Sequence, residues 1–105
     1  MEPRLVGDVI WQTHVAEKNW KQANEYCGGL DEGQRHWRLP TLFELQRRFP
    51  KESSAYAINP KDPSVWSSTI PEGIEDDALL LDIISGKSHH RDKTYGGYVI
   101  CVAND

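Results

Sequence analysis

The chain has 105 residues, 38% of them hydrophobic, with four tryptophans and a mean hydropathy of −0.64. That length supports one core and not two, so the expectation is a single domain over residues 1–105. A formal net charge of −4 excludes a general nucleic-acid binder, which needs a basic surface, and no apolar run reaches membrane-spanning length.

Met1-Glu2-Pro3-Arg4 carries no basic segment followed by a long apolar one, so no signal peptide is legible there. Leu5 to Gln12 is β-branched and aromatic and reads as a short strand with Val9 and Trp11 on one face. A polar connection leads to Asn19, an N-cap candidate with Gln22 at the capping-box position. Trp20, Ala23, Cys27 and Leu30 recur at helical spacing and form one buried stripe. Gly28-Gly29 is expected to end that helix through a positive φ, and Asp31 to Arg35 is a polar loop.

The stretch from His36 to Leu45 organises the middle of the chain. Residues before Pro40 are pushed toward extended backbone, so Trp37 and Arg38 point to opposite sides. Thr41 followed by Glu44 is a capping box. The helix it opens turns Leu42, Leu45 and Phe49 inward and Gln46, Arg47 and Arg48 outward, until Pro50. The structural reading of this corner is that Trp37 fills the core and Arg38 pairs with a carboxylate.

From Lys51 to Ser64 the prolines and the lack of a period predict a loop, with Tyr56 and Ile58 tucked inward. Val65 to Thr69 reads as a strand with Trp66 inside, and Pro71 to Asp77 as a loop with the acidic run Glu75-Asp76-Asp77. Ala78 to Ile84 is apolar at nearly every position and reads as a central strand covered on both faces. Ser85-Gly86 is a two-residue turn candidate, Lys87 to His90 a hydrophilic return strand, and Arg91 to Gly97 a loop. Tyr98 to Ala103 closes the chain as one strand. Two early helices, one early strand and several late antiparallel strands make an α+β fold.

Site chemistry is sparse. His89 and His90 are neighbours in a strand and face opposite ways, so they do not share one metal ion, and no metal or cofactor is expected. The acidic run reads as a solvated loop. No Gly-rich phosphate loop or Ser/His/Asp grouping stands out, and the Glu-Pro-Asn and Trp-Asn-Asp signatures of calcium-dependent lectins are absent.

Trp11-Gln12, the Trp20…Ala23…Tyr26-Cys27 helix, Trp37-Arg38-Leu39-Pro40-Thr41 with Glu44-Leu45, Trp66-Ser67-Ser68-Thr69 and Cys101-Val102 occur in that order. This pattern resembles the Lcl C-terminal domain family, the domain that ends the Legionella collagen-like adhesins, from about Gly7 to Val102. The resemblance implies a C-type-lectin-like fold, with two helices flanking a small antiparallel sheet and paired terminal strands. It also implies a binding role at a bacterial surface. Where the family carries basic residues around its last cysteine, this sequence has Ile100 and Ala103, and its loop between Pro50 and Val65 is short.

In such a fold the first helix and the closing strand are neighbours, which places Cys27 and Cys101 within bonding distance. Their oxidation state follows the compartment: thiols in the cytosol that the N-terminus suggests, a bridge at the surface or outside that the family suggests. Three functions remain open at this level. One is a non-catalytic module that binds a protein or glycan, with homo-oligomerisation possible. Another is a small intracellular regulator or immunity-type protein that blocks a partner enzyme. The third is a thiol enzyme. For a binding module the late polar and aromatic residues Asp76, Asp77, His89, His90, Arg91, Lys93 and Tyr95 are the candidate surface. Arg35, Arg47, Arg48 and Lys51 form the alternative, a patch for an anionic ligand.

Overall fold

In chain order the elements are β1 (Val9–Trp11), β2 (Ala16–Asn19), α1 (Trp20–Gly28), a 3-10 turn (Glu32–Gln34), β3 (Trp37–Arg38), α2 (Leu42–Arg48), β4 (Ser64–Trp66), β5 (Asp77–Asp82), β6 (Ser88–Asp92), β7 (Gly96–Val99) and β8 (Val102–Asn104). The computed structural model describes residues 9–12, 14–49 and 58–104. The expected positions of Leu5 to Asp8, Lys51 and Tyr56 lie outside the described residues.

The α+β class holds, and the first and last strands do pair: Val9 lies opposite Asn104 and Trp11 opposite Val102. The sheet layout differs from a single small antiparallel sheet. There are two sheets, a three-stranded antiparallel one in the order β1-β8-β3 and a five-stranded one in the order β2-β7-β4-β5-β6. The larger is mixed, because β4 runs parallel to β7 with Val65 opposite Tyr98.

The split arises where one closing strand is expected. The run Tyr98 to Ala103 breaks at Ile100-Cys101, and its halves join different sheets. Gln12 clamps the break. Its N–H donates to the Cys101 carbonyl at 2.9 Å, its Oε1 accepts from the Cys101 N–H at 3.3 Å, and its Nε2 donates to the Tyr26 hydroxyl at 3.1 Å. A nearly buried amide thus takes over the backbone bonding that the ladder loses there.

Local signals set both helices. Asn19 and Gln22 form one capping box and Thr41 and Glu44 the other, each with both reciprocal bonds. In α2 the acid lies in the first turn and the arginines in the last, complementing the helix dipole. The end of α1 departs from expectation: Gly29 caps it at φ −93°, and its N–H reaches the Glu25 and Cys27 carbonyls. The chain closes in right-handed geometry, so no positive φ is required.

The strands shift by a few residues. Ala16 to Asn19, expected as a polar connection, is the edge strand β2, held by backbone pairing to β7. β4 ends at Trp66 rather than Thr69, and β5 ends at Asp82 rather than Ile84. The Asp82 carboxylate then accepts the Ile84 and Ser85 N–H groups, so residues 83–87 make a longer turn than Ser85-Gly86 alone. β5 is interior, between β4 and β6, but one strand from the edge. β6 extends to Asp92, leaving only a short turn before β7. Both edges of the larger sheet, β2 and β6, are polar, which disfavours edge-to-edge association.

Two apolar clusters fill the interior. Ala23, Cys27, Trp37, Leu39, Trp66, Leu80, Val99 and Ala103 pack with α1. Leu45, Phe49, Val65, Leu81, Ile83 and Ile100 pack with α2, where Trp11 meets Phe49 edge-to-face at 5.8 Å between ring centroids. Ile58 packs partly buried against this second cluster. Cys27 and Cys101 are joined by a disulfide inside the first cluster, with Cα atoms 5.6 Å apart, tying α1 to the break between the sheets. Among the described residues no helix is long and apolar enough to cross a membrane.

Candidate functional site

β3 is two residues long, yet it positions a concavity among the described residues. Trp37 faces the core and its Nε1 donates to the Glu32 carbonyl at 3.0 Å, which ties the 3-10 turn to the strand. Arg38 faces the other way, over β8 and toward α2. Its Nη1 and Nη2 donate to the two Glu44 oxygens, each at 2.8 Å, with further bonds to the Leu39 carbonyl at 3.1 Å and to Asn104 Oδ1 at 2.9 Å. The expected roles of Trp37, Arg38, Thr41, Glu44 and Trp66 are therefore all seen, with Trp66 fully buried. The Arg38 hydrogen bonds hold the Glu44 carboxyl below its usual range against the opposing effect of burial, and Glu44 in turn raises Arg38.

Beside this pair lies a groove of about 510 Å³, lined by Gly33, Gln34, Arg35, His36, Trp37, Arg38 and Asn104. Gly33 and Gln34 turn the chain with φ of +65° and +56°. Gly33 suits its positive φ, where a Cβ would be strained, and its bare Cα leaves Arg35 Nη1 close by. The missing side chain lets the Arg35 guanidinium lie along the groove wall. The groove is thus lined by Arg38, held by Glu44 and Asn104, together with Arg35 and the exposed His36.

The late candidate residues gather around β5, β6 and the turn to β7, but on different faces. His89 Nε2 lies 3.3 Å from the Ser64 Oγ, which donates to Asp62 Oδ1 at 2.9 Å. Arg91 donates to the same Asp62 oxygen at 3.1 Å and to the Gly96 carbonyl at 2.7 Å. With its one hydrogen given to Asp62, the Ser64 hydroxyl accepts from His89, so the four side chains form a run of bonds from His89 through Ser64 and Asp62 to Arg91. Burial, reinforced by Arg91, pushes the His89 imidazole below its ordinary value. Burial opposes ionisation of Asp62, yet bonds from Arg91 and Ser64 outweigh it and lower that carboxyl. On the other face His90 pairs with Asp77. Lys93 Nζ sits 4.5 Å above the Trp20 ring. Asp76 and Tyr95 are exposed, Tyr95 by 63%.

Of the alternative patch, Arg35 belongs to the groove, while Arg47 and Arg48 lie on the outer side of α2. Arg47 stacks on Phe43 at 5.8 Å, and Arg48 on Phe49 at 5.3 Å and Trp11 at 6.0 Å. Sequence reasoning missed His36 and Asn104 as groove residues, and Asp62 and Ser64 as partners of the late strand. His36 adjoins Trp37 and Arg38 and was within reach of the motif; Asn104 comes from the far end of the chain and carries no local signal. Among the described residues no cluster of three or more His, Cys, Asp or Glu side chains could hold a metal ion.

No curated protein matches the chain. The family model of the Lcl C-terminal domain matches residues 5–103. With the ordered tryptophan and cysteine motifs now seen to build one paired-terminus fold, the chain belongs to the Lcl C-terminal domain family.

Proposed function

We propose that the chain is a non-catalytic binding module on a C-type-lectin-like scaffold, taking an anionic protein or glycan ligand in the groove beside β3. The observation that carries this reading is the groove itself, a concavity lined by Arg35, His36 and Arg38. Recognition sites are concave and hold a few convergent polar groups, and this one gathers Arg35, His36 and an Arg38 balanced by Glu44 in a chain of net negative charge. Glu44, Leu39 and Asn104 hold the Arg38 guanidinium in place, and Arg35 and the exposed His36 line the groove beside it.

The late surface is the weaker candidate. His89, His90, Arg91 and Lys93 are engaged within the fold, and a ligand would compete with those bonds. The disulfide suits an oxidising compartment, in keeping with the adhesin setting of the family. Its two cysteines are fully buried, which argues against thiol chemistry on a substrate.

A glycan array and a lysate pull-down would identify a ligand, followed by Arg35→Ala with His36→Ala and, separately, Arg91→Ala with Tyr95→Ala. Binding should be lost in the first pair, kept in the second and weakened by salt. Loss in the second pair alone would move the site to the late loops and end the groove reading.

A further inference from the structure

Both cysteines of the Cys27–Cys101 bridge are fully buried, so a reductant meets them only after something moves. The elements around the bridge are not held equally. α1, which carries Cys27, is pinned by its capping box and by Trp20, whose N–H donates to the Lys93 carbonyl at 3.1 Å and whose Nε1 donates to the Ser67 carbonyl at 2.9 Å. β8, which follows Cys101, is paired on both sides, by β1 and by β3. β3 is fastened to α2 through Arg38 and Glu44. β1 is three residues long, lies at the edge of its sheet and pairs, among the described residues, with β8. Its Ile10 packs against the cluster that contains both cysteines, and Gln12 follows directly. The Gln12 bonds then reach both ends of the bridge: the N–H and carbonyl of Cys101 on one side, and the hydroxyl of Tyr26, the neighbour of Cys27, on the other.

A strand held by one short ladder opens at lower cost than an element held on two sides. We infer that residues 9–12 are a strap over the bridge, and that a reducing thiol reaches the sulfurs when this strap lifts off β8 while both helices and the larger sheet stay folded. Lifting breaks the β1–β8 ladder and the Trp11–Phe49 contact, and it takes Ile10 and the Gln12 amide away from the bridge. The exchange then follows ordinary thiol chemistry. A thiolate of the reductant attacks one cysteine sulfur, the S–S bond breaks and the other sulfur leaves as a thiolate. The second thiol of a dithiol displaces the remaining cysteine, so the reagent ends as its own disulfide and each cysteine gains a hydrogen. Access sets the rate, and Gln12 is the positioning residue that controls access.

Reduction of the oxidised full chain by dithiothreitol, quenched by alkylation and read by mass spectrometry, tests it. The wild-type rate should depend only weakly on urea below the unfolding transition, since lifting a short strap exposes little surface. Gln12→Ala should speed reduction roughly tenfold through loss of the clamp, and Ile10→Ala should speed it as well. Thr41→Ala, which weakens the cap at the far end of α2 from Phe49, should leave the rate at the wild-type value. A wild-type rate that rises with urea as steeply as global unfolding overturns the inference, and this measurement needs no variant to fold. Equal acceleration by Thr41→Ala and Gln12→Ala overturns it too, as does an unchanged rate in both Gln12→Ala and Ile10→Ala.

Discussion

Gly97 lies so close to the indole of Trp66 that a Cβ on the glycine would come within 2.7 Å of Nε1. Trp66 cannot retreat. It is fully buried, and its Nε1 donates to the Lys18 carbonyl at 3.0 Å, in the strand that pairs with Gly97. One glycine thus lets β2, β7 and the central tryptophan meet. Gly97→Ala should destabilise the fold by about 1–3 kcal/mol through overpacking. Gly96→Ala, where nothing lies within 4 Å, is the control and should cost far less. Urea denaturation of the two variants measures the difference, and equal midpoints would refute the steric account.

The second expectation concerns the caps. Thr41 Oγ1 accepts the Glu44 N–H at 3.1 Å, and Asn19 Oδ1 accepts the Gln22 N–H at 2.9 Å. Thr41→Ala and Asn19→Ala should each cost about 1 kcal/mol. Because Glu44 also holds Arg38, Thr41→Ala should additionally loosen that ion pair, whereas Asn19→Ala should leave it intact. Denaturation midpoints report the first effect, and the Glu44 carboxyl titration followed by NMR reports the second.

Acid should destabilise the fold in two windows, through His89 first and through Glu44 and Asp62 at lower pH. His89 has a depressed folded-state pKa, so the unfolded chain binds its proton more readily. Its contribution is present above the ordinary value of 6.5 and is lost as pH falls through the lower folded value. Glu44 is likewise depressed, so its contribution is present above 4.5 and is lost at still lower pH. Stability measured against pH should fall in both windows. His89→Gln should flatten the first, and Glu44→Gln should reduce the second, to which Asp62 also contributes. A His89→Gln protein with the wild-type slope below pH 6.5 would show that burial does not act on that imidazole.

The disulfide closes a separation of 74 residues, for which chain entropy predicts roughly 4 kcal/mol of stabilisation. Cys27→Ala with Cys101→Ala should lower stability by up to about that amount. Mass spectrometry of the unreduced wild type should give a chain lighter by its two thiol hydrogens. Full reactivity of both cysteines toward alkylating reagents in the oxidised native protein would contradict the bridge.

Nearest-neighbour chemistry made the helices legible. Asn19 with Gln22, and Thr41 with Glu44, are contacts across three residues, and the stripe through Ala23 and Cys27 repeats within one helix. The family followed from motifs in order along the chain, the α+β class from the order of elements, and the closeness of Cys27 and Cys101 from the family's fold, while the bond itself is seen only in the structure.

What only the tertiary structure decided is everything that depends on partners far apart in sequence. β2 has no apolar alternation to announce it, because an edge strand is held by backbone bonds to β7 and needs no buried face of its own. Ile100 and Cys101 are as apolar as their neighbours, and the strand breaks where Gln12, arriving from the other end, bonds both backbone groups of Cys101. The groove has the same origin: Arg35, His36 and Arg38 are adjacent in the chain, but Asn104 joins Arg38 across 66 residues. Local sequence encodes turns and caps through contacts a few residues apart, while concavities form where distant segments fail to fill space between them, and no single segment records that shape.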